Sequence, residues 1–388
     1  MTNKFDGMTS RDRQWLPGPF AAVAWLGAAA LGGSFVLGCG GGVGDGSLVI
    51  PEDQMMAIST AGQIKIYDDL AELATTGAAP VPAQTIIAAN VLSVAFDSAG
   101  NLYYLANNGS VGSNASFFSC PLPSTGLPFA TCTAVGGVIP GGQWLAINAS
   151  STVFATSRNA TTGSVVSFPL ASGPPASPSV VYTSTTAPAA YGGIAVDASN
   201  TLYVTEQGSA TSIAHKLFKC TSACQGTSGS QLDLTANITS GNPDSAPGGP
   251  LATNLGSTNL FVGAASTNPR SPQTRPVAFV CAAGSSGGLS CQARTATFPL
   301  LFGADSPFVN SVGIAASDSN EVYDAALLDD GGDTAAVLGP SFFGFLAAGP
   351  QFACSSTPST CRVNQLPSVP INSMPASVPY GLAISPLN

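Results

Sequence analysis

Four stretches of the chain carry the same order of apolar and polar positions: "VLSVAFDSAGNLYYL" (91–105), "QWLAINASSTVFAT" (143–156), "YGGIAVDASNTLYVT" (191–205) and "SVGIAASDSNEVYDA" (311–325). Each reads as a short apolar run, a polar turn of Asp, Asn, Ser or Gly, and a second apolar run with an aromatic residue. A weaker copy is "GPLATNLGSTNLFVG" (249–263). Alternation with β-branched and aromatic residues predicts strands, and the turn residues predict tight hairpins.

A shared alanine gives the period. Ala95, Ala146, Ala195, Ala252, Ala315 and Ala383 are separated by 51, 49, 57, 63 and 68 residues, which are the lengths of four-stranded propeller blades with loops that grow along the chain. Third strands follow at "ASFFSC", "SVVSFPL", "HKLFKC" and "RPVAFVC", and fourth strands at "SPSVVYT" and "SQLDLTA". The chain stops after one inner strand, "YGLAIS", whereas "QMMAISTAGQIKIYDDL" near its start looks like a second and third strand without a first, with "AQTIIAA" as a fourth. The expected fold is therefore all-β: a six-bladed β-propeller of four-stranded antiparallel blades over residues 53–388, its ring closed by strands from both termini.

The stretch "GGIAVDASNTLYV" (192–204) and its relatives resemble the NHL repeat of bacterial and animal β-propellers, over most of residues 53–388. The sequence departs from that pattern in one respect. The Asp usual after the aromatic strand is replaced by Asn107, Arg158, Glu206 and Ala265, and the basic residue of the third strand is mostly missing. The resemblance thus implies the fold and carries no activity with it.

The amino terminus has a different character. Lys4, Arg11 and Arg13 precede a stretch from Gln14 to Gly44 without a charged side chain, which includes the apolar run Phe20 to Leu37. This is the shape of an export signal, with an uncleaved membrane span as the alternative. Val36, Leu37, Gly38 and Cys39 resemble the lipobox of bacterial lipoproteins, which implies a signal peptide over 1–38 and lipid attachment at Cys39. Residues 39–52 are then a lipidated cysteine and a glycine-rich tether. Acyl chains would hold the domain at a membrane surface, each buried methylene contributing about 0.8 kcal/mol. The implied location is the bacterial cell envelope, extracytoplasmic, lipid-anchored and at the outer membrane, since Gly40 rather than Asp follows the cysteine.

Removal of residues 1–38 leaves eight Lys and Arg against eighteen Asp and Glu, a net charge of −10. Phosphate binding needs clustered basic residues, so nucleic acid is excluded as a partner. Eight further cysteines form four sequence-local pairs: Cys120 and Cys132, Cys220 and Cys224, Cys281 and Cys291, Cys354 and Cys361. An even count in an exported chain favours disulfides. The unequal spacings and the single histidine argue against zinc.

Candidate chemistry is sparse. His215 stands in a third strand, away from the axis, so histidine-based catalysis is disfavoured. Asp97 and Asp197, with Asn148, Asn254 and Ser317 at the parallel positions, fit side chains that cap turns. Loops between second and third strands reach the face where propellers usually bind. They offer Asn107, Asn108, Arg158, Glu206 and the run "DDGGD" with Asp329, Asp330 and Asp333, a set of hard oxygen ligands suited to calcium or another divalent ion and equally to a solvated acidic loop. No cofactor is required by any motif. The functional expectation is a lipid-anchored propeller that binds an envelope protein or glycan as a scaffold or binding module. The alternative is a metal-dependent lactonase-like hydrolase or lyase, for which Asp, Glu or Asn side chains must converge in the channel.

Overall fold

Each copy of the repeated pattern forms the two inner strands of an antiparallel meander. The structure is a computed structural model and describes residues 54–59, 62–68, 81–109, 113–158, 163–184, 190–207, 216–221, 224–225, 230–232, 245–253, 259–266, 274–283, 289–297, 308–316, 322–329, 337–345, 363–364 and 381–386. Cys39 with the whole of 1–53, His215, Asn254, Ser317, Asp330, Asp333, Cys354 and Cys361 lie outside the described residues. Cys224, Cys291 and Asp329 are described in their backbone.

Near the amino terminus come β1 (Met56–Ser59), β2 (Gln63–Tyr67) and β3 (Gln84–Ile87). Blade 1 follows as β4 (Val91–Phe96), β5 (Leu102–Ala106), β6 (Ala115–Cys120) and β7 (Thr133–Ile139). Blade 2 consists of β8 (Leu145–Ile147), β9 (Thr152–Arg158), β10 (Gly163–Pro169) and β11 (Ser179–Thr183). Blade 3 consists of β12 (Ala190–Val196), β13 (Leu202–Gln207), β14 (Lys216–Cys220) and, after the short β15 (Cys224–Gln225), β16 (Ser230–Leu232). An eight-stranded sheet holds two further meanders that meet where Ala265 pairs with Asn310. Blade 4 is β17 (Ser245–Thr253), β18 (Leu260–Ser266), β19 (Thr274–Ala283) and β20 (Leu289–Thr297). Blade 5 is β21 (Phe308–Ala316), β22 (Val322–Asp329), β23 (Val337–Phe345) and β24 (Val363–Asn364). The last strand, β25 (Gly381–Ile384), pairs with β1 and completes blade 6 in the order β25-β1-β2-β3. The chain is a β-propeller, closed by strands from both termini.

The closure is hydrogen-bonded well beyond one strand pair. Ser385 donates its N–H to the Met55 carbonyl at 2.8 Å, and its Oγ accepts from Met55 N at 2.8 Å. The Gln54 amide donates to the Ser385 carbonyl, and Ser59 Oγ donates to the Gly381 carbonyl at 3.3 Å.

Blades packed face to face bury both sides of a strand, which is why the second strands read as continuous apolar runs rather than alternating ones. In β5, Leu102, Tyr104 and Ala106 join Ile64 and Ile66 of blade 6, whereas Tyr103 and Leu105 join Leu145, Val153 and Phe168 of blade 2. The alanine that set the period has a structural reason. Ala95, Ala146, Ala195, Ala252, Ala315 and Ala383 all line one axial cavity of about 120 Å³, where six inner strands converge. Each also pairs with the aromatic position of the next strand: Ala95 with Tyr103, Ala146 with Phe154, Ala195 with Tyr203, Ala252 with Phe261 and Ala315 with Tyr323. Blade 6 replaces the aromatic by Ala57.

The turn acids act as the sequence indicates. Asp97 Oδ1 accepts from the N–H groups of Ala99 and Asn101, both at 2.9 Å, and its Oδ2 accepts from Asn101 Nδ2 at 2.9 Å and Tyr103 OH at 3.1 Å. Asp197 repeats this with Ser199 N at 2.8 Å, Thr201 N at 2.9 Å and Tyr203 OH at 3.1 Å. Where the turn residue is Asn148, which accepts from Thr152 N at 2.8 Å, the aromatic partner is Phe154. In blades 1 to 3 a phenol thus accompanies a turn carboxylate whose second oxygen receives its proton, and a phenyl ring accompanies the turn amide.

Cys120 and Cys132 form a disulfide across the loop from the third to the fourth strand of blade 1. On the chain-entropy account such a loop contributes roughly 2 to 3 kcal/mol. Cys220 and Cys281 are also disulfide-bonded, and Cys291 stands opposite Cys281 in the β19–β20 register. One feature of these loops goes beyond the sequence expectation. Cys224 lies on β15, which leaves blade 3 and pairs in parallel with β11 of blade 2, Tyr182 opposite Cys224 and Thr183 opposite Gln225. Blade 2 thereby gains a fifth strand from its neighbour.

Candidate functional site

First strands begin, and second strands end, at the same end of every blade. Asn107 and Asn108 follow β5 at that end, Arg158 closes β9, Glu206 is the penultimate residue of β13, and Asp329 closes β22. The Cys120–Cys132 disulfide and the paired positions Cys281 and Cys291 belong to turns at the other end, away from the candidate binding face.

Asn107 Oδ1 accepts from Gly109 N at 2.8 Å, Asn108 is exposed, and Arg158 is half-buried. Glu206 differs from all of them. Register from the paired alanines makes Tyr103, Phe154 and Tyr203 equivalent. Asn107 and Arg158 are then four residues beyond that point, whereas Glu206 is three. In a strand one residue reverses the face, so Glu206 belongs with Ala106, Ser157, Ala264 and Ala326. It is 3% exposed and faces blade 2.

A polar cluster forms where blades 2 and 3 pack together. Tyr182, on the outer strand of blade 2, donates its hydroxyl to Glu206 Oε1 at 2.7 Å. Tyr191 is the register partner of Glu206 and is 4% exposed, and its hydroxyl is buried without a hydrogen-bond partner among the described residues. Lys216 is the register partner of Glu206 on the other side. From blade 2, Trp144 Nε1 donates to the Tyr191 carbonyl at 3.0 Å. The Trp144 and Gln143 N–H groups are held by Thr156 Oγ1 at 2.9 and 3.1 Å. Arg158 N donates to the Pro140 carbonyl at 2.8 Å, and its side-chain charge acts on the Tyr191 phenol.

Burial is the largest influence on these phenols. It raises the pKa of Tyr182 and Tyr191 well above the ordinary tyrosine value of 10, and the Glu206 charge raises both further, while Arg158 partly offsets the rise at Tyr191. Tyr67 is pushed up to about 12 by burial, and Tyr103 to about 12 by burial followed by the charge of Asp97. Burial raises Tyr104 and Tyr203 as well. A neutral phenol with a raised folded-state pKa contributes stability that is complete below the unfolded value, near pH 10, and is lost as pH climbs through the folded value. Folding stability should therefore be flat up to about pH 10 and then fall towards pH 12. Tyrosinate absorbance recorded alongside circular dichroism should show most of the eight tyrosines titrating late and together with unfolding. Independent titration of all of them near pH 10 in a folded chain would contradict this burial.

The axial cavity itself is lined mainly by aliphatic residues, among them the six alanines, Val94, Leu145, Ile194, Leu251, Ile314 and Leu382, with Phe96 and with Thr253, whose hydroxyl donates to the Val196 carbonyl at 2.6 Å. Among the described residues no three His, Cys, Asp or Glu side chains come together to hold a metal ion. The described lining supplies backbone groups, apolar surface and the Thr253 hydroxyl.

No protein-family model matches the sequence, and no curated protein matches it. Among solved structures, TolB from Acinetobacter baumannii is similar at 11% identity and a TM-score of 0.41, over 75% of this chain and 67% of that one. The calcium-binding protein regucalcin from Agrobacterium tumefaciens is similar at 11% identity and a TM-score of 0.39, over 67% of this chain and 72% of that one. A luciferin-regenerating enzyme is similar at 9% identity and a TM-score of 0.40, over 68% of this chain and 74% of that one.

Sequence reading missed Tyr182, Tyr191 and Trp144. A signal was present: Trp144 lies one residue before the apolar run of its repeat, two residues before the ruler alanine, where the other copies have Ser93, Gly193, Pro250, Gly313 and Gly381.

Proposed function

We propose that this protein is an extracytoplasmic lipoprotein, anchored through Cys39 in the bacterial envelope and at the outer membrane, whose propeller is a binding or scaffold module for an envelope protein or glycan. The binding surface is the end that carries Asn107, Asn108, Arg158 and Asp329, with Glu206 buried between blades 2 and 3 beside it and Asp330 and Asp333 in the run that follows Asp329. One observation carries this reading. Polar side chains of several types gather at the second-to-third-strand end of blades 1 to 3, while the described axial lining is mainly aliphatic, with Thr253 as its polar side chain. Such a distribution suits recognition by side-chain hydrogen bonds at the blade ends.

Fractionation of a bacterial host expressing the full chain tests the anchor: Cys39→Ala should move the protein from the membrane to the soluble extracytoplasmic fraction. Retention of that variant in the membrane would point to a span instead. Elemental analysis of the purified protein tests the binding reading. One firmly held divalent ion per chain after dialysis would shift the assignment to a metal-dependent, lactonase-like activity and send the search to lactones and esters.

A further inference from the structure

Outer strands in this ring are held by the blade that follows them. In blade 6, Gln84 opens the outer strand β3; its Oε1 accepts from Phe129 N at 2.7 Å and its Nε2 donates to the Phe129 carbonyl at 3.4 Å. Phe129 lies in the loop from the third to the fourth strand of blade 1 and is buried with Ile64 and Ile66 of blade 6. In blade 1, Gly137 on the outer strand β7 donates its N–H to the Pro174 carbonyl at 2.7 Å, and Pro174 lies in the equivalent loop of blade 2. The two backbones come so close there that a Cβ on Gly136 would lie 2.8 Å from Pro174 N, and one on Gly173 would lie 2.6 Å from Val135 O. In blade 2, Tyr182 and Thr183 on β11 pair with Cys224 and Gln225 of blade 3. All of these contacts run the same way round the ring, from a third-to-fourth-strand loop back to the preceding blade.

The repeat supplies its own control. The loop of blade 2 contains no cysteine and reaches Gly137 through Gly173 and Pro174. In blade 1 the loop is closed by the Cys120–Cys132 disulfide, which brackets Phe129. In blade 3, Cys220 ends β14 and is disulfide-bonded, and Cys224 is the first residue of β15. A cystine that closes a short loop restricts the paths its residues can take. We infer that these loops are straps, and that the cystines of blades 1 and 3, the latter joining Cys220 to Cys224, make the straps on blades 6 and 2 a redox-sensitive lock on the propeller rim. A dithiol reductant opens the lock by exchange: one of its thiolates attacks a cystine sulfur, its second thiol displaces the resulting mixed disulfide, and two cysteine thiols form as the reductant leaves as a cyclic disulfide. The straps then lose their fixed path, and the outer edges of β3 and β11 lose their cover. Those strands carry no charged side chain and expose Ile87 and Val180, the character of an edge that accepts a further strand. The strap on blade 1, made without cysteine, stays closed.

Peptide mapping and hydrogen exchange of the full-length protein in detergent, both read by mass spectrometry, test this. Mapping without reductant should find Cys220 joined to Cys224, and a bond from Cys220 to any other cysteine would overturn the lock on blade 2. Cys220→Ser combined with Cys224→Ser should then speed exchange roughly 10-fold in residues 179–184 of blade 2 and leave residues 133–139 of blade 1 unchanged. Faster exchange confined to blade 3 would make the cystine a pin within its own blade and would also overturn the lock there. Gln84→Ala gives a second measurement that leaves every cysteine in place. Coupling between contacts is reciprocal, so loss of the Phe129 hydrogen bonds should shift the equilibrium of Cys120–Cys132 with a dithiothreitol redox buffer roughly 3- to 10-fold towards the dithiol. Gln84 belongs to a different blade from that cystine, so an unchanged equilibrium would show strap and cystine to be independent and would overturn the lock on blade 6.

Discussion

Valine at position 193 should destabilise the propeller by about 3 kcal/mol or more, the largest effect expected of any single substitution in the described inner strands. Gly193 is not there for a left-handed backbone. A Cβ at that position would lie 2.7 Å from Leu251 N and 2.7 Å from Pro250 Cα, main-chain atoms of blade 4 that no rotamer change can move. Gly381 has the same relation to blade 1, 2.8 Å from Val94 N, and Gly313 approaches Leu382 of blade 6 at 3.3 Å. These glycines set how closely neighbouring inner strands approach, and hence how tightly the ring can close around its alanines. Chemical denaturation should show a large fall in midpoint for Gly193→Val with an unchanged slope, or a failure to fold. Gly62→Ala is the control, since no atom lies within 4 Å of its added Cβ, and it should be neutral within about 0.5 kcal/mol. A Gly193→Val protein as stable as the parent would mean that blades 3 and 4 are not in contact along this strand.

The same crowding explains which features were legible in the sequence. An alanine repeated at blade-length intervals is a local signal with a global cause, because six inner strands meet at one axis and each presents the same position to the cavity there. The ring closure was legible for a similar reason: "YGLAIS" and "QMMAIS" each lack a partner within their own neighbourhood, and the β25–β1 pairing supplies it. Glu206 shows where such reading stops. Counting from the end of an apolar run put it beside Asn107 and Arg158, but face is decided by register with the inner strand, and that register is read only when Ala195 and Tyr203 are seen to pair. The polar cluster also joins residues of different blades, Tyr182 to Glu206 and Trp144 to Tyr191, so no repeat unit contains it. The parallel β11–β15 pairing is hidden for the same reason. Within a blade, local pattern is informative; between blades, only packing decides.

Asp197→Ala is the second large effect expected, about 2 to 4 kcal/mol, and it permits a stricter test than its size alone. The carboxylate is 5% exposed and receives the Ser199 and Thr201 N–H groups and the Tyr203 hydroxyl. Removal leaves three donors without that acceptor, and each unsatisfied buried donor is unfavourable by roughly 1 to 3 kcal/mol before any water enters. Blade 2 demonstrates the alternative solution, Asn148 with Phe154, in which the turn N–H of Thr152 is still received and no phenol needs an acceptor. Asp197→Asn alone should therefore be unfavourable by about 1 kcal/mol, because Oδ2 becomes an amide donor facing the Tyr203 hydroxyl. Tyr203→Phe alone should also be unfavourable by about 1 kcal/mol, by leaving Oδ2 one bond short. The double variant Asp197→Asn with Tyr203→Phe reproduces the blade 2 pair and should be less destabilised than the sum of the two, by a coupling of about 1 kcal/mol. Denaturation midpoints of the four proteins give that coupling directly. Strict additivity would show that the hydroxyl and the carboxylate are independent, and that the matched Asp with Tyr and Asn with Phe pairs of successive blades have some cause other than this hydrogen bond.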